Sequence, residues 1–278
     1  MKQWTLLLLA ALCLVSCERV LYVQDRPISF TNTVLLAHAG GGWHDEPNSM
    51  EGCRYGLSTL GGIECDIQRS RDNDLWLSHS ELIMPCDSSA ALTFASTRSS
   101  TILAIDSCYG VQKDFARLDS VFSLMATHYP DKFISLDVKP WLPDDLSGLN
   151  LFVEMNELAR AIIFLTSSYH LENKVMVESE VADFLLYLRN NSDIETYLTS
   201  YGDFELGVSK ALKYGFSGIS FKYKFKEEIT AEQIALMHQK GLKIHIWTVN
   251  DTETIQVALL LGVDYIQTDN VESAQEFE

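Results

Sequence analysis

Basic residues are scarce in this chain: 21 Lys and Arg stand against 38 Asp and Glu in 278 residues, a formal charge of −17. With no basic stripe, the surface repels phosphate backbones and anionic bilayers, which argues against nucleic acid as a partner. The six cysteines include no CxxC and no Cys/His spacing suited to zinc, so a zinc site is not expected. Long hydrophobic runs are missing as well. The longest, around Trp4–Leu12, is too short to span a bilayer comfortably and follows Met1 and Lys2, as in an export signal. What the chain does have is 47% hydrophobic and 21% charged residues, enough to bury a substantial core and incompatible with disorder.

Leu14-Val15-Ser16-Cys17 resembles the bacterial lipobox, in which cleavage falls just before a lipidated cysteine. The expected organisation is a leader over 1–16, Cys17 as the lipidated N-terminus, a tether over 17–32 and one domain over 33–278. This places the protein at the bacterial cell envelope, periplasmic or surface-exposed, touching the membrane through its anchor. A cleaved secretory signal with an incidental cysteine is the alternative. Export permits disulfides, and Cys86 with Cys108 would close a loop of roughly 20 residues, stabilising it by about 3 kcal/mol. Otherwise Cys53, Cys65, Cys86 and Cys108 remain small buried thiols.

Past the leader, short apolar runs alternate with amphipathic stretches, the rhythm of βα units around a parallel sheet. Strands are expected at Val34–His38, Ile63–Ile67, Phe133–Val138, Val175–Glu178, Thr196–Thr199, Gly218–Lys222, Leu242–Val249 and Tyr265–Thr268. Helices are expected at Ser49–Leu60, Leu149–Ser167, Val181–Asn190, Phe204–Tyr214, Ala231–Lys240 and Thr252–Leu261, with Gly61, Gly215, Gly241 and Gly262 as C-terminal caps. Eight strands alternating with helices give an α/β fold, a (β/α)8 TIM barrel. After the second strand, the turn cluster Asp72-Asn73-Asp74 and the renewed alternation of Leu75–His79 predict a β-hairpin with its tip near Asp72-Asn73 that sets Asp66 roughly opposite His79. The stretch from about 80 to 116 breaks the rhythm and reads as a small insertion over the barrel mouth.

Alternation along the second strand turns Glu64 and Asp66 inward together and Cys65 outward. Two inward carboxylates repel and resist ionisation unless a cation relieves them. The same alternation turns Asp137 and Lys139 inward at the end of another strand. Oxygen-only ligands favour one hard divalent cation, Mg²⁺ or Ca²⁺. His38 ends the first strand ahead of the flexible Ala39-Gly40-Gly41-Gly42, and His79 ends the hairpin. Two imidazoles beside a carboxylate-held cation suit general acid and base work, and barrel sites occupy the C-terminal strand ends where all of these residues sit.

His38-Ala39-Gly40-Gly41, Glu46-Pro47-Asn48-Ser49, Gly62-Ile63-Glu64-Cys65-Asp66, Leu77-Ser78-His79, Asp137-Val138-Lys139, His245–Asn250 and Gly262–Asp269 resemble, in order, the motifs of the glycerophosphodiester phosphodiesterases. The resemblance implies a phospholipase C-like barrel that cleaves glycerophosphodiesters to an alcohol and glycerol phosphate with one divalent cation. By position it implies metal ligation by Glu64, Asp66 and Asp137, acid and base roles for His38 and His79, and phosphate contact by Lys139. Trp247 would wall the pocket, or be an ordinary core tryptophan. Lys222 would add a second cation near the phosphate, or be a solvated rim lysine.

Three departures from the pattern stand out. Ala39 replaces the arginine that usually follows the first histidine, Glu46-Pro47-Asn48 replaces Pro-Glu-Asn, and Asp137 replaces a glutamate. Two rival readings follow: a related phosphodiesterase acting on phospholipid headgroups or cell-wall polymers, or a non-catalytic lipoprotein that binds a phosphoryl ligand. The oligomeric state is open.

Overall fold

The apolar run Val34–Ala37 becomes the first strand, β1, and Ser49 starts the first helix, α1 (Met50–Thr59), by accepting the Gly52 N–H at 3.0 Å. The computed structural model describes residues 33–85, 90–108, 115–138, 149–202, 204–223 and 229–278. The leader, Cys17, the tether, Cys86, Lys139 and the Cys108 side chain lie outside the described residues.

After α1 come β2 (Gly62–Arg69), β3 (Leu75–Leu77), β4 (Leu82–Ile83), β5 (Leu92–Thr93), α2 (Ser99–Cys108), α3 (Leu118–His128), β6 (Phe133–Val138) and α4 (Leu149–Ser168). The second half is regular: β7 (Val175–Ser179), α5 (Ala182–Asn191), β8 (Glu195–Ser200), α6 (Phe204–Tyr214), β9 (Gly218–Lys222), α7 (Ala231–Gln239), β10 (Lys243–Trp247), α8 (Thr252–Leu261), β11 (Tyr265–Thr268) and α9 (Val271–Gln275). Neighbours pair in parallel in the order β1-β2-β6-β7-β8-β9-β10-β11, and β1 also pairs with β11, so eight strands close into a TIM barrel. No helix among the described residues is long and apolar enough to cross a membrane.

Strand alternation sorts the side chains into two cores. Outward residues such as Ile63, Cys65, Ile134, Leu136 and Ile219 pack beneath the helices. Inside, Leu36, Met176, Tyr197 and Tyr265 plug the lower barrel, with the two tyrosine rings edge to face at 5.9 Å. The plug leaves the upper layers to polar groups.

The hairpin differs from expectation by one residue. Its turn centres on Asp72, with Asn73 left-handed (φ 70°), Ser70 N–H bonded to Asp74 O, and Ser78 N–H bonded to Asp66 O at 3.0 Å. Asp66 therefore faces Ser78, and His79 lies one step further along. A three-residue turn with a left-handed last position, which Asn tolerates, accounts for the shift. The insertion carries its own small core of Ile83, Phe94, Ile102 and Ile105 against Trp76 of β3. It docks on the hairpin tip, where Asp72 accepts the Ser99 N–H and hydroxyl at 2.9 and 3.0 Å.

Helix α3 is absent from the expected set, although Leu118, Val121, Phe122 and Met125 recur at helical spacing and are buried. Its closeness to the irregular insertion masks the period. β10 is shorter than expected, ending at Trp247. Gly215, Gly241 and Gly262 adopt positive φ, whereas Gly61 does not: α1 ends at an extended Leu60.

One glycine bears directly on the site. A Cβ at Gly56 would lie 2.0 Å from Gly40 O and 2.8 Å from Ala37 Cβ, so α1 packs on the loop after β1 only because this side chain is missing. Gly56→Ala should lower unfolding stability by about 1–3 kcal/mol, as overpacking does, read as a lower urea midpoint.

Candidate active site

The site begins with register. Glu64 pairs with Ser135, and Asp66 with Asp137, across the β2–β6 ladder, so alternate inward positions bring acidic groups from adjacent strands together at the mouth. One carboxylate oxygen from each of Glu64, Asp66 and Asp137 lies within 4.8 Å of the others. Glu64 is fully buried, and burial first, then the charges of Asp66, Asp137 and Glu178, push its carboxyl well above the usual range against the pull of His38. An oxygen-only donor set under such repulsion fits a hard divalent cation, with Glu64, Asp66 and Asp137 positioned to hold it.

Backbone geometry fixes this cluster. Ala39 takes a left-handed φ of 49° and donates its N–H to Glu64 Oε2 at 2.9 Å. Asn48, at φ 60°, donates its amide to Asp66 Oδ2 at 2.9 Å and accepts the Asp66 N–H at 3.0 Å. The asparagine holds both ends of the residue it orients.

His38 stands just past β1, next to the end of β11. Its Nδ1 donates to Asp269 Oδ1 at 2.5 Å, which leaves Nε2 turned to Glu64 Oε2 at 3.9 Å. Asp269 is itself held by Asn250, whose amide donates to Oδ2 and whose oxygen accepts the Asp269 N–H, both at 2.8 Å. Burial opposes a charge on His38, but the Asp269 hydrogen bond and the nearby carboxylates outweigh it and hold the imidazole up at about 9. Burial likewise works against the Asp269 anion, and the His38 and Asn250 hydrogen bonds overcome it, keeping that carboxyl below its ordinary value.

His79 is exposed at the end of the hairpin and lines an opening of about 220 Å³ together with Asn48, Leu77 and Phe115. Asn48 thus joins the two halves of the site, touching Asp66 on one side and this opening on the other. Trp247 is half-buried, its ring edge to face with Tyr201 at 5.6 Å, and Lys222 is exposed beside it in register.

Sequence reasoning gave no role to Asp269, Asn250 or His245, although all three fall within quoted motifs. The usable signal for Asp269 is positional: like His38, it follows immediately on a paired strand end, since Ala37 pairs with Thr268. Glu178 is a further buried carboxylate of the barrel interior. It adjoins the cluster, in register with Asp137, accepting Ser135 Oγ at 2.7 Å and the Ser220 hydroxyl, with His245 Nδ1 3.5 Å away.

The sequence profile of the glycerophosphoryl diester phosphodiesterase family matches residues 48–273. The chain belongs to that family. No curated protein matches it in sequence. Among solved structures, a putative glycerophosphoryl diester phosphodiesterase from Silicibacter pomeroyi is similar at 20% identity with a TM-score of 0.71, over 88% of this chain and 93% of its own. The Thermotoga maritima glycerophosphodiester phosphodiesterase is similar at 20% identity, TM-score 0.68, over 89% and 99%. An Oleispira antarctica phosphodiesterase in complex with the product sn-glycerol-3-phosphate is similar at 14%, TM-score 0.70, over 88% and 96%. The protein is accordingly a phosphoric diester hydrolase on a TIM barrel.

His245 supplies a test that needs no substrate. It is fully buried, neither ring nitrogen has a hydrogen-bond partner among the described residues, and burial drops it from 6.5 to about 3. The ring is neutral when folded, and the unfolded chain takes up its proton first as pH falls. Its share of stability is complete above about 6.5 and is lost on the way down to about 3. His245→Gln should flatten the acid side of the stability profile by up to about 1.4 kcal/mol per pH unit, measured by urea unfolding.

Proposed function

We propose that this phosphodiesterase hydrolyses glycerophosphodiesters to an alcohol and glycerol phosphate, with His38 and His79 as acid and base and with a divalent cation, Mg²⁺ or Ca²⁺, held by Glu64, Asp66 and Asp137. The observation that carries this reading is the convergence of three carboxylates beside an imidazole whose second nitrogen is fixed by Asp269. When bound, the cation supplies positive charge to the phosphoryl oxygens.

The chain's own residues do the rest. Asp269 holds the His38 ring so that Nε2 faces the cluster, and Asn250 holds Asp269. Asn48 fixes Asp66, and the Ala39 amide fixes Glu64, so both carboxylates are organised before substrate arrives. One imidazole removes a proton from the attacking hydroxyl, and the other returns a proton to the departing alkoxide. Lys139 and Lys222 are assigned to the phosphate and Trp247 to the apolar wall, the last two in keeping with their places at the strand ends. The arginine missing at position 39 leaves these lysines as the phosphate's protein cations.

The lipobox-like Leu14-Val15-Ser16-Cys17 supports an envelope enzyme anchored through Cys17 and working on small phosphodiesters at the membrane surface.

His38→Ala and His79→Ala should each reduce glycerol phosphate release from glycerophosphoethanolamine by at least about a hundredfold, with far-UV circular dichroism unchanged. Undiminished turnover in either variant would reject the mechanism. A chelator should abolish turnover and Mg²⁺ or Ca²⁺ should restore it, while calorimetry should show saturable binding of the cation that Asp66→Asn removes. Binding of both cations unaltered by that substitution would place the metal elsewhere.

A further inference from the structure

We infer that the opening beside His79 seats the alcohol that the enzyme releases, and that Glu46 and Phe115 make it selective for a cationic amino alcohol. The inference rests on the phosphodiesterase reading above and goes further, from the reaction to the headgroup.

The opening lies against the catalytic machinery. Asn48, which fixes Asp66 with two hydrogen bonds, forms one part of its lining, and His79 forms another. A phosphodiester bound at the carboxylate cluster therefore has one of its two substituents directed here. The volume of about 220 Å³ accommodates a small alcohol.

Its chemistry is uneven. Leu77 and Phe115 give apolar surface, and the Phe115 ring is held edge to face against Phe94, centres 5.5 Å apart at 90°. Glu46, exposed at the opening, brings a carboxylate that has no ion-pair partner among the described residues. A carboxylate and a fixed aromatic ring lining the same opening offer the recognition chemistry of an ammonium group. A neutral polyol would find Ser78 and Ser80 but gain nothing from the Glu46 charge, and an alcohol bearing a carboxylate would be repelled by it. The chain's charge of −17 discriminates in the same direction. Glu46 is the acidic member of the Glu46-Pro47-Asn48 departure, so the transposition moves a carboxylate one residue further from the metal-orienting asparagine. In the net reaction, water adds across the P–O bond to this alcohol: oxygen goes to phosphorus and a proton to the departing oxygen.

The test compares kcat/KM of the full chain with Mg²⁺ on glycerophosphocholine, glycerophosphoethanolamine, glycerophosphoglycerol, glycerophosphoinositol and glycerophosphoserine. The two ammonium substrates should lead the neutral ones by about tenfold or more, and glycerophosphoserine should be poor. In Glu46→Gln that ratio should fall by about tenfold, chiefly through KM. Glu46→Asp should keep most of it, and Glu46→Lys should reverse the order. Phe115→Leu should weaken choline more than ethanolamine. The inference is overturned if Glu46→Gln slows ammonium and neutral diesters equally, which would seat glycerol there, or leaves the ratio unchanged. If the wild-type enzyme releases glycerol phosphate from none of the five, the phosphodiesterase reading itself fails and takes this inference with it.

Discussion

Mutual repulsion among Glu64, Asp66 and Asp137 is the constraint around which the upper barrel is organised. Carboxylate oxygens within 4.8 Å of one another, one group fully buried, destabilise the fold unless hydrogen bonds and positive charge answer them. Among the described residues the answers include an amide from Ala39, the side chain of Asn48 and the imidazole of His38. Each comes from the loop after β1 or its continuation into α1. The loop that leads on from His38 therefore also restrains the acidic cluster.

That loop is conformationally costly. Ala39 and Asn48 both take left-handed backbone angles, a departure of about 1–2 kcal/mol for a residue with a Cβ. The distortion aims one amide at Glu64 and one carboxamide at Asp66, and glycine-lined packing against α1 keeps the loop close. On the far side, β11 delivers Asp269 to His38, and β10 delivers Asn250 to Asp269, so strands joined only by barrel closure complete one relay of hydrogen bonds. A side chain from the first strand is oriented by residues more than 200 positions later.

Further buried polar groups lie between the cluster and the plug. Glu178 accepts hydroxyls from Ser135 and Ser220, and His245 stays neutral among aromatic rings, 6.3 Å from Tyr197 and 6.0 Å from Tyr265. These groups grade the barrel interior from the apolar plug to the acidic mouth. This gradient confines the charge to the end where solvent and substrate enter, as sites at the C-terminal strand ends require.

Much of this was legible in the residues. Alternation along β2 and β6 put Glu64, Asp66 and Asp137 on the inner face, and the βα rhythm counted eight strands, because periodicity of two and the period of a helix are local properties. Cys65 was expected to point outward and does, meeting Cys53 of α1 with the sulfurs 3.7 Å apart. Legibility failed where spacing is set by turns and closure. One residue in the hairpin turn moved Ser78 rather than His79 opposite Asp66, and α3 was lost beside an insertion with no rhythm of its own. The pairing of His38 with Asp269 and the cradle that Asn48 makes for Asp66 belong to the closed barrel alone. Composition and pattern decide which face a side chain occupies; which distant side chain it meets depends on strand order and on backbone angles that only the assembled chain imposes.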